Sequence, residues 1–337
     1  MERFRLLLVS CFGLAFGMGV VVACSPAPAT QSNITTKPDK KAKGDDDTTA
    51  DDDTTDDDTT TVPTEPADKP LPDGGKPPGR IYAHTAKTLY LFDPLVQTLK
   101  KVADFDGLDQ SQPSDERMLD IALDSDSAMY GTTDYGFVRI DPSTAKVTYI
   151  KKNAVSFRFP NALSFVPMGT VDPTKEALVG YLQKEGTFGP TTYVRVDTTT
   201  GAVTEIGDLN PTGATLTWRS AGDIISTFRG GNKAYLTVQL FNVDGGAVTA
   251  DPGTDSLAEV DPKTGKIIKI IGDIGQPNFY GLGQWAGTSY GFNAGGNIVQ
   301  INMDTGAGKT LLTLKEDGGA TGSWFGAGMT TAAPTAP

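Results

Sequence analysis

The chain has 337 residues, a formal net charge of −12, 38% hydrophobic and 21% charged residues, two cysteines and one histidine. One histidine excludes any site that needs two imidazoles. Both cysteines lie within the first 24 residues, which excludes a disulfide framework or a cysteine zinc cluster in the rest of the chain. An acidic chain lacks the clustered lysine and arginine that neutralise phosphates, so no nucleic-acid partner is expected.

The first 23 residues have the pattern of an export signal. Arg3 and Arg5 precede a largely apolar run of 17 residues, from Leu6 to Val22. A membrane-spanning helix needs roughly 20 apolar residues, so this run fits a signal peptide better than a membrane span. The run ends in the letters VVACS at positions 21–25.

This ending resembles the lipobox of bacterial lipoproteins. The resemblance implies cleavage before Cys24, a diacylglycerol on its sulfur, and acylation of the new amino group by a chain such as palmitate. Several buried acyl chains, at ~0.8 kcal/mol per CH₂, would anchor the protein to a membrane of the bacterial cell envelope. Ser25 replaces the Asp that retains lipoproteins in the inner membrane, so the outer membrane is favoured if the source is Gram-negative. The alternative is an uncleaved anchor, or an ordinary signal with an incidental cysteine.

Residues 24–79 have the composition of a tether. They contain no aromatic residue, and after a lysine-rich patch three Asp triplets alternate with Thr before a Pro/Gly-rich end. Such a segment cannot bury enough apolar surface to offset its backbone entropy, so we expect a disordered linker spanning about 40 Å. The triplets at 45–47, 51–53 and 56–58 lack the Gly turn and closing Glu of a calcium loop, which favours a solvated spacer over a calcium site.

Residues 80–331 repeat one pattern, in which a turn of the Asp-Pro-x-Thr-Gly type joins two apolar strands. The turns begin at Asp141, Asp197, Asp261 and Asn302, with a degenerate copy at Asp93. The Asp or Asn side chain caps the turn, Pro presets φ, and Gly accepts a positive φ. Two more strand candidates precede most turns. Each unit is therefore four strands in about 50 residues, the size of a β-propeller blade.

The C-terminal end of this domain offers the strand that its first blade lacks. The first copy lacks an innermost strand, whereas 324–329 is an unassigned strand that resembles 280–285. Pairing 324–329 with Ile81–His84 predicts an all-β, five-bladed propeller closed by both ends of the domain, followed by a short tail at 332–337. The turn pattern resembles the repeats of bacterial YVTN-like and quinoprotein-like propellers, although Tyr-Val-Thr-Asn itself is absent. The alternatives are a β-sandwich and an unclosed solenoid.

Two motifs that suggest enzymatic chemistry fail on inspection. The letters GAGKT at 306–310 resemble the end of a phosphate-binding loop, but the pattern requires Gly where Met303 stands, and no nucleotide partner is expected. His84, the sole imidazole, would have to serve any Ser-His-Asp hydrolase. It ends a predicted strand, which favours a structural role, so no catalytic residue is assigned.

One acidic stretch is a candidate calcium site. Asp104, Asp106 and Asp109 place oxygen ligands around Gly107. This spacing departs from the EF-hand pattern, so a polar loop is the favoured alternative. No other cofactor is expected.

The strongest indication of a binding site is the position of certain residues in loops on one face of the propeller. In a four-stranded blade, the connections between blades and the loops between second and third strands emerge on one face; here these loops carry insertions at 183–191 and 240–255. Aromatic faces beside planar donors suit a sugar ring or an extended peptide, although large apolar residues also pack between blades. The candidate ligand rim comprises Phe157, Arg158, Phe159, Trp218, Arg219, Phe279, Tyr280, Trp324 and Phe325.

Together these features predict a lipid-anchored envelope propeller that acts as a non-catalytic binding or scaffold module for glycan or protein. The alternatives are a glycan hydrolase or lyase, which would require paired carboxylates on the rim, and a structural assembly factor without a small ligand.

Overall fold

The computed structural model of this chain describes residues 81–109, 116–183, 191–213, 216–227, 232–244, 247–250, 253–316 and 318–333. The predicted signal peptide, Cys24, the acidic linker and most of the predicted insertion at 183–191 lie outside these residues. The regular structure of the described part consists of 21 strands. It contains no helix with the length and hydropathy of a membrane span.

Five antiparallel sheets form the blades of a propeller, which confirms the predicted fold class. Blade 1 contains β1 (Ile81–His84), β2 (Thr88–Asp93), β3 (Thr98–Asp104) and, as its innermost strand, β21 (Gly326–Gly328). Blade 2 contains β4 (Met118–Leu123), β5 (Met129–Thr133), β6 (Gly136–Ile140) and β7 (Val147–Lys152). Blade 3 contains β8 (Ala162–Val166), β9 (Ala177–Gln183), β10 (Thr191–Val196) and β11 (Val203–Asp208).

The last two blades follow the same order, from the innermost strand outwards. Blade 4 contains β12 (Leu216–Thr227), β13 (Lys233–Asp244), β15 (Ser256–Val260) and β16 (Ile267–Asp273), with β14 (Ala247–Ala250) added to the end of β13. Blade 5 contains β17 (Phe279–Trp285), β18 (Thr288–Asn293), β19 (Asn297–Ile301) and β20 (Gly308–Thr313).

The ring closes as the sequence predicts. β21, which comes last in the described part, pairs with β1 so that Tyr82 lies opposite Gly328 and His84 opposite Gly326. Each pair of neighbouring blades buries its own apolar cluster, including the pair formed by blades 5 and 1. The five innermost strands contact one another in the order β4, β8, β12, β17, β21 and back to β4.

The turns use the predicted chemistry. Oδ1 of Asp141, Asp197, Asp261 and Asn302 accepts the backbone N–H two residues later at 2.8–2.9 Å. The turn in blade 4 also shows why it ends in glycine. Gly265 has a φ of 70°, and a Cβ there would lie 2.2 Å from Tyr193 of the preceding blade.

Blade 4 departs from the prediction. We expected a loop over 240–255, but β13 continues to Asp244 and pairs with β14, which forms a hairpin beyond the blade. β12 is equally long, and its first residues pair with the far end of β13. The sequence alternates regularly from 233 to 240, so nothing local ends the strand at 239.

Two buried aspartates join the blades at the centre of the ring. The carboxyl groups of Asp120, on β4, and Asp223, on β12, are fully buried and hydrogen-bonded to each other. Asp120 also accepts the backbone N–H of Leu163, on β8, at 2.7 Å. Asp223 accepts that of Leu282, on β17, at 2.5 Å. The pair therefore connects four blades directly.

Blade 1, the remaining blade, contacts this pair through glycine. A Cβ on Gly326, in β21, would lie 2.5 Å from Oδ1 of Asp120. Burial, with the neighbouring Asp223 carboxylate as a second cause, raises the pKa of Asp120 well above its usual range. Burial likewise raises the pKa of Asp223. Two adjacent buried carboxyls of this kind share a proton, because both cannot be ionised side by side in a low-dielectric interior.

This shared proton predicts a pH dependence of stability. The folded pKa values lie above the ordinary value near 3.8, so the folded protein retains a proton that the unfolded chain releases. The free energy of unfolding should therefore fall as pH rises above about 4, by up to about 1.4 kcal/mol per pH unit while one proton is retained. Replacing Asp120→Asn should flatten this slope in urea titrations between pH 5 and 9.

The matched control is Asp141→Asn, which removes an exposed turn carboxylate whose pKa is lowered chiefly by the Ser143 hydroxyl. That variant should keep the wild-type slope above pH 5. An unchanged slope in Asp120→Asn would show that the central pair does not retain a proton.

Candidate functional site

A cavity of about 1030 Å³ opens where the innermost strands begin. Its lining combines residues of the connections between blades with residues of the strands. The lining residues are Arg117, Leu119, Val155, Ser156, Phe157, Arg158, Phe159, Asn161, Leu182, Gln183, Glu205, Gly222, Tyr280 and Phe325. Five of the nine predicted rim residues are among them.

An arginine–aspartate pair supports one side of the cavity. The guanidinium of Arg117, just before β4, donates to both carboxylate oxygens of Asp134, at 3.0 Å from Nε and 2.7 Å from the terminal nitrogen. The backbone N–H of Arg117 donates to the same carboxylate at 2.8 Å. These hydrogen bonds raise the pKa of Arg117. Asp134 lies in the second-to-third-strand loop of blade 2, so the two loop types meet on this face.

Asp134 also positions Phe157. The backbone oxygen of Asp134 accepts the N–H of Phe157 at 2.8 Å. Phe157 has a φ of 55°, in the left-handed region that costs a bulky residue of order 1–3 kcal/mol. Its ring is 56% exposed at the cavity mouth. An exposed aromatic ring held in a strained backbone conformation is typical of a binding site rather than of a core.

Two further aromatic rings line the cavity. The rings of Tyr280 and Phe325 have centroids 6.5 Å apart at an interplanar angle of 58°. The guanidinium of Arg117 lies 5.7 Å from the centroid of Phe325. Gly222 permits this packing, because a Cβ there would lie 2.4 Å from the Cα of Tyr280. Burial raises the pKa of Tyr280, so its hydroxyl remains a neutral donor and acceptor.

The polar part of the lining consists mainly of planar groups. Asn161, Gln183 and Glu205 offer amide and carboxylate atoms, and Arg158 offers an exposed guanidinium. Sequence reasoning missed Asn161, Gln183 and Glu205. Gln183 is the last residue of β9 and Glu205 lies within β11, and only the assembled blade shows that these two positions reach the cavity.

Four predicted rim residues lie elsewhere. Phe279 and Trp324 are fully buried in the apolar clusters of blade 5, where Nε1 of Trp324 donates to the backbone oxygen of Gly296 at 2.9 Å. Trp218 packs against the cluster between blades 3 and 4. Arg219 is 2% exposed, with its guanidinium 4.1 Å from the ring centroid of Phe241. These four side chains pack within the fold, which is the alternative that the sequence analysis gave to a place on the ligand rim.

The predicted calcium ligands have other partners. Asp104 accepts the Thr88 hydroxyl at 2.7 Å and pairs with Lys101, and these contacts lower its pKa. Asp109 pairs with Lys152 at 2.9 Å. Asp106 forms an isolated backbone bridge with residue 146. Within the described residues, no three acidic, histidine or cysteine side chains form a group that could hold a metal ion.

His84 lies in the closing blade and not in the cavity lining. It is fully buried, its Nδ1 lies 2.9 Å from the backbone oxygen of Thr85, and its Nε2 has no hydrogen-bond partner among the described residues. Burial lowers its pKa from 6.5 to about 4. The ring is therefore a neutral structural group at neutral pH.

No protein-family model and no curated protein matches the chain. Among solved structures, a chain of a nidogen/laminin complex is 12% identical with a TM-score of 0.42, over 74% of this chain and 97% of that one. TolB from Acinetobacter baumannii is 14% identical with a TM-score of 0.35, over 74% and 65%. Regucalcin from Agrobacterium tumefaciens, a calcium-binding protein, is 13% identical with a TM-score of 0.33, over 67% and 66%. Similarity of this extent carries no functional information.

The buried His84 predicts acid sensitivity. Because its folded pKa, about 4, lies below the unfolded value of 6.5, the stability it contributes is present above pH 6.5 and is lost as pH falls towards 4. His84→Leu should remove this loss, which amounts to up to about 1.4 kcal/mol per pH unit. The difference in unfolding free energy between the two proteins, measured in urea, should shrink or reverse between pH 6.5 and 4.5.

Other acidic groups titrate in both proteins and cancel in this difference, and the chain has no second histidine. Above pH 7 the difference should be constant. Parallel stability curves across the whole range would show that the imidazole titrates normally.

Proposed function

We propose that this protein is a lipid-anchored cell-envelope propeller that binds glycan in the cavity without turning it over. The observation that carries this proposal is the composition of the lining, in which the rings of Phe157, Tyr280 and Phe325 occur together with planar donors and acceptors. The cavity volume, about 1030 Å³, is at the upper end of roughly 300–1,000 Å³ for small-molecule sites.

The chemistry of the lining supports a sugar ligand. A sugar ring presents a face of C–H groups, which packs on aromatic rings, and an edge of hydroxyls, which both donate and accept hydrogen bonds. Asn161 and Gln183 can do both, Arg158 can donate, and Glu205 can accept.

Binding fits the lining better than hydrolysis does. Glycosidases use two carboxyl groups on either side of the scissile bond, whereas Glu205 is the one carboxylate among the described lining residues. Ser156 also lines the cavity, but the sole imidazole, His84, does not, so a hydroxyl nucleophile would have no histidine base.

The binding proposal predicts ligand-induced stabilisation of the full chain. A purified envelope glycan present at 100 times its Kd should raise the apparent free energy of unfolding by about 2.7 kcal/mol in thermal-shift assays. Tyr280→Ala should weaken that glycan roughly tenfold, because one stacking face is lost. Leu95→Ala, which truncates an exposed side chain in a turn of blade 1, is the control and should bind normally.

A flat response across envelope glycans would contradict the glycan proposal. Chemical crosslinking on intact cells would then test the remaining candidate class, an envelope protein partner on the same face.

The anchoring proposal is tested separately. Cys24→Ala removes the sulfur that would carry the diacylglycerol, so labelling with radioactive or clickable palmitate should be lost and the protein should leave the membrane fraction. Ser25→Ala is the control, because it preserves the cysteine and should retain the label. Labelling that survived Cys24→Ala would overturn the lipid anchor without affecting the binding proposal.

A further inference from the structure

Resting on the proposed glycan site, we propose that the saccharide it takes is acidic. In this arrangement a uronic-acid-type sugar stacks on the ring of Phe157 while its carboxylate pairs with the guanidinium of Arg158. The two residues are consecutive, and both line the cavity.

The local backbone accounts for this joint presentation. In an extended strand, consecutive side chains point to opposite faces. The left-handed φ of 55° at Phe157 interrupts that alternation directly before Arg158. The hydrogen bond from the N–H of Phe157 to Asp134, at 2.8 Å, and the Arg117–Asp134 pair hold this conformation in place without a ligand.

Arg158 differs from the other arginines of the described segments. Each of the other four has a carboxylate or an aromatic ring as partner: Arg117 with Asp134, Arg139 with Tyr130, Arg195 with Asp172, and Arg219 with Phe241. Arg158 forms no ion pair, hydrogen bond or ring contact with any described residue. Among the described residues, Arg158 is therefore a cation without a partner on the wall of the cavity, in a chain with a net charge of −12.

The guanidinium selects a planar anion. Arginine donates two parallel N–H bonds to a carboxylate, and such a pair gains strength when a bound ligand excludes water around it. Glu205, also in the lining, would repel a carboxylate placed beside it and accept hydroxyls instead. Together, Arg158 and Glu205 define which end of an acidic sugar lies at which wall.

The test compares ligands that differ only in charge. Tetramers of galacturonate, glucuronate and mannuronate, each with its methyl ester, are titrated into the full chain by calorimetry at low and high salt. We expect at least one acid form to bind ten times or more tightly than its ester, with the difference shrinking as salt increases. The esters keep the ring and its hydroxyls but lose the anion.

Three variants test whether Arg158 causes the preference for the acid form. Arg158→Gln should reduce the ratio of acid-form affinity to ester affinity to near unity, because the guanidinium that pairs with the carboxylate is lost. Arg158→Lys should restore only part of it, because a point charge replaces a bidentate fork. Arg139→Gln is the matched control, since Arg139 is an exposed arginine on β6 that is not part of the lining, and it should keep the full preference.

The possible negative results distinguish a wrong ligand class, a wrong residue and a wrong proposed function. Equal binding of acid and ester, or stabilisation by neutral envelope glycans with no binding of any uronate, would overturn the acidic ligand and leave the glycan proposal intact. A preference that survives Arg158→Gln would overturn the assignment to this arginine. An absence of binding by every saccharide, neutral or acidic, would overturn the proposed function and this inference together.

Discussion

The closed ring depends on the hydrogen bond between the two buried carboxyl groups at its centre, Asp120 and Asp223. They belong to blades 2 and 4, and their remaining oxygens accept N–H groups of blades 3 and 5. A carboxyl group left unpaired in such a place would be strongly destabilising. The pair is satisfied only when the inner strands of all these blades are in position, so it couples blades that are far apart in the chain.

The same arrangement of inner strands creates the cavity. All five inner strands run in the same direction, so the connections that precede them meet at one face. Arg117 precedes the inner strand of blade 2, Phe157 that of blade 3, and Phe325 that of blade 1, while Tyr280 lies at the start of the inner strand in blade 5. No single blade contains the site. Its residues are held by strands and hydrogen bonds that form without a ligand, and such preorganisation reduces the ordering cost of binding.

Local chemistry explains what could be predicted from the sequence. The turns at Asp141 and its equivalents depend on residues within five positions of each other, so their strands and the blade repeat were predictable. Which of two adjacent aromatic side chains is buried, and which lines the cavity, could not be predicted in this way. Alternation places Trp324 and Phe325 on opposite sides, but the choice of the buried side depends on Gly296, which accepts the indole N–H from 28 positions away in the chain. Asp134 was missed for the same reason, because its role appears only beside Arg117.

Polar groups that complete the fold have hydrogen-bond partners within it, whereas a group available for recognition does not. The central carboxyls bond to each other and to backbone N–H groups, and the turn aspartates bond within their own turns, so these groups complete the fold and offer nothing to a ligand. Two features at the cavity mouth differ from these groups. A strained Phe157 exposes its ring, and the neighbouring Arg158 has no partner among the described residues. The left-handed backbone at Phe157 carries a conformational cost, and the ligand proposed above would cover this ring and the adjacent guanidinium.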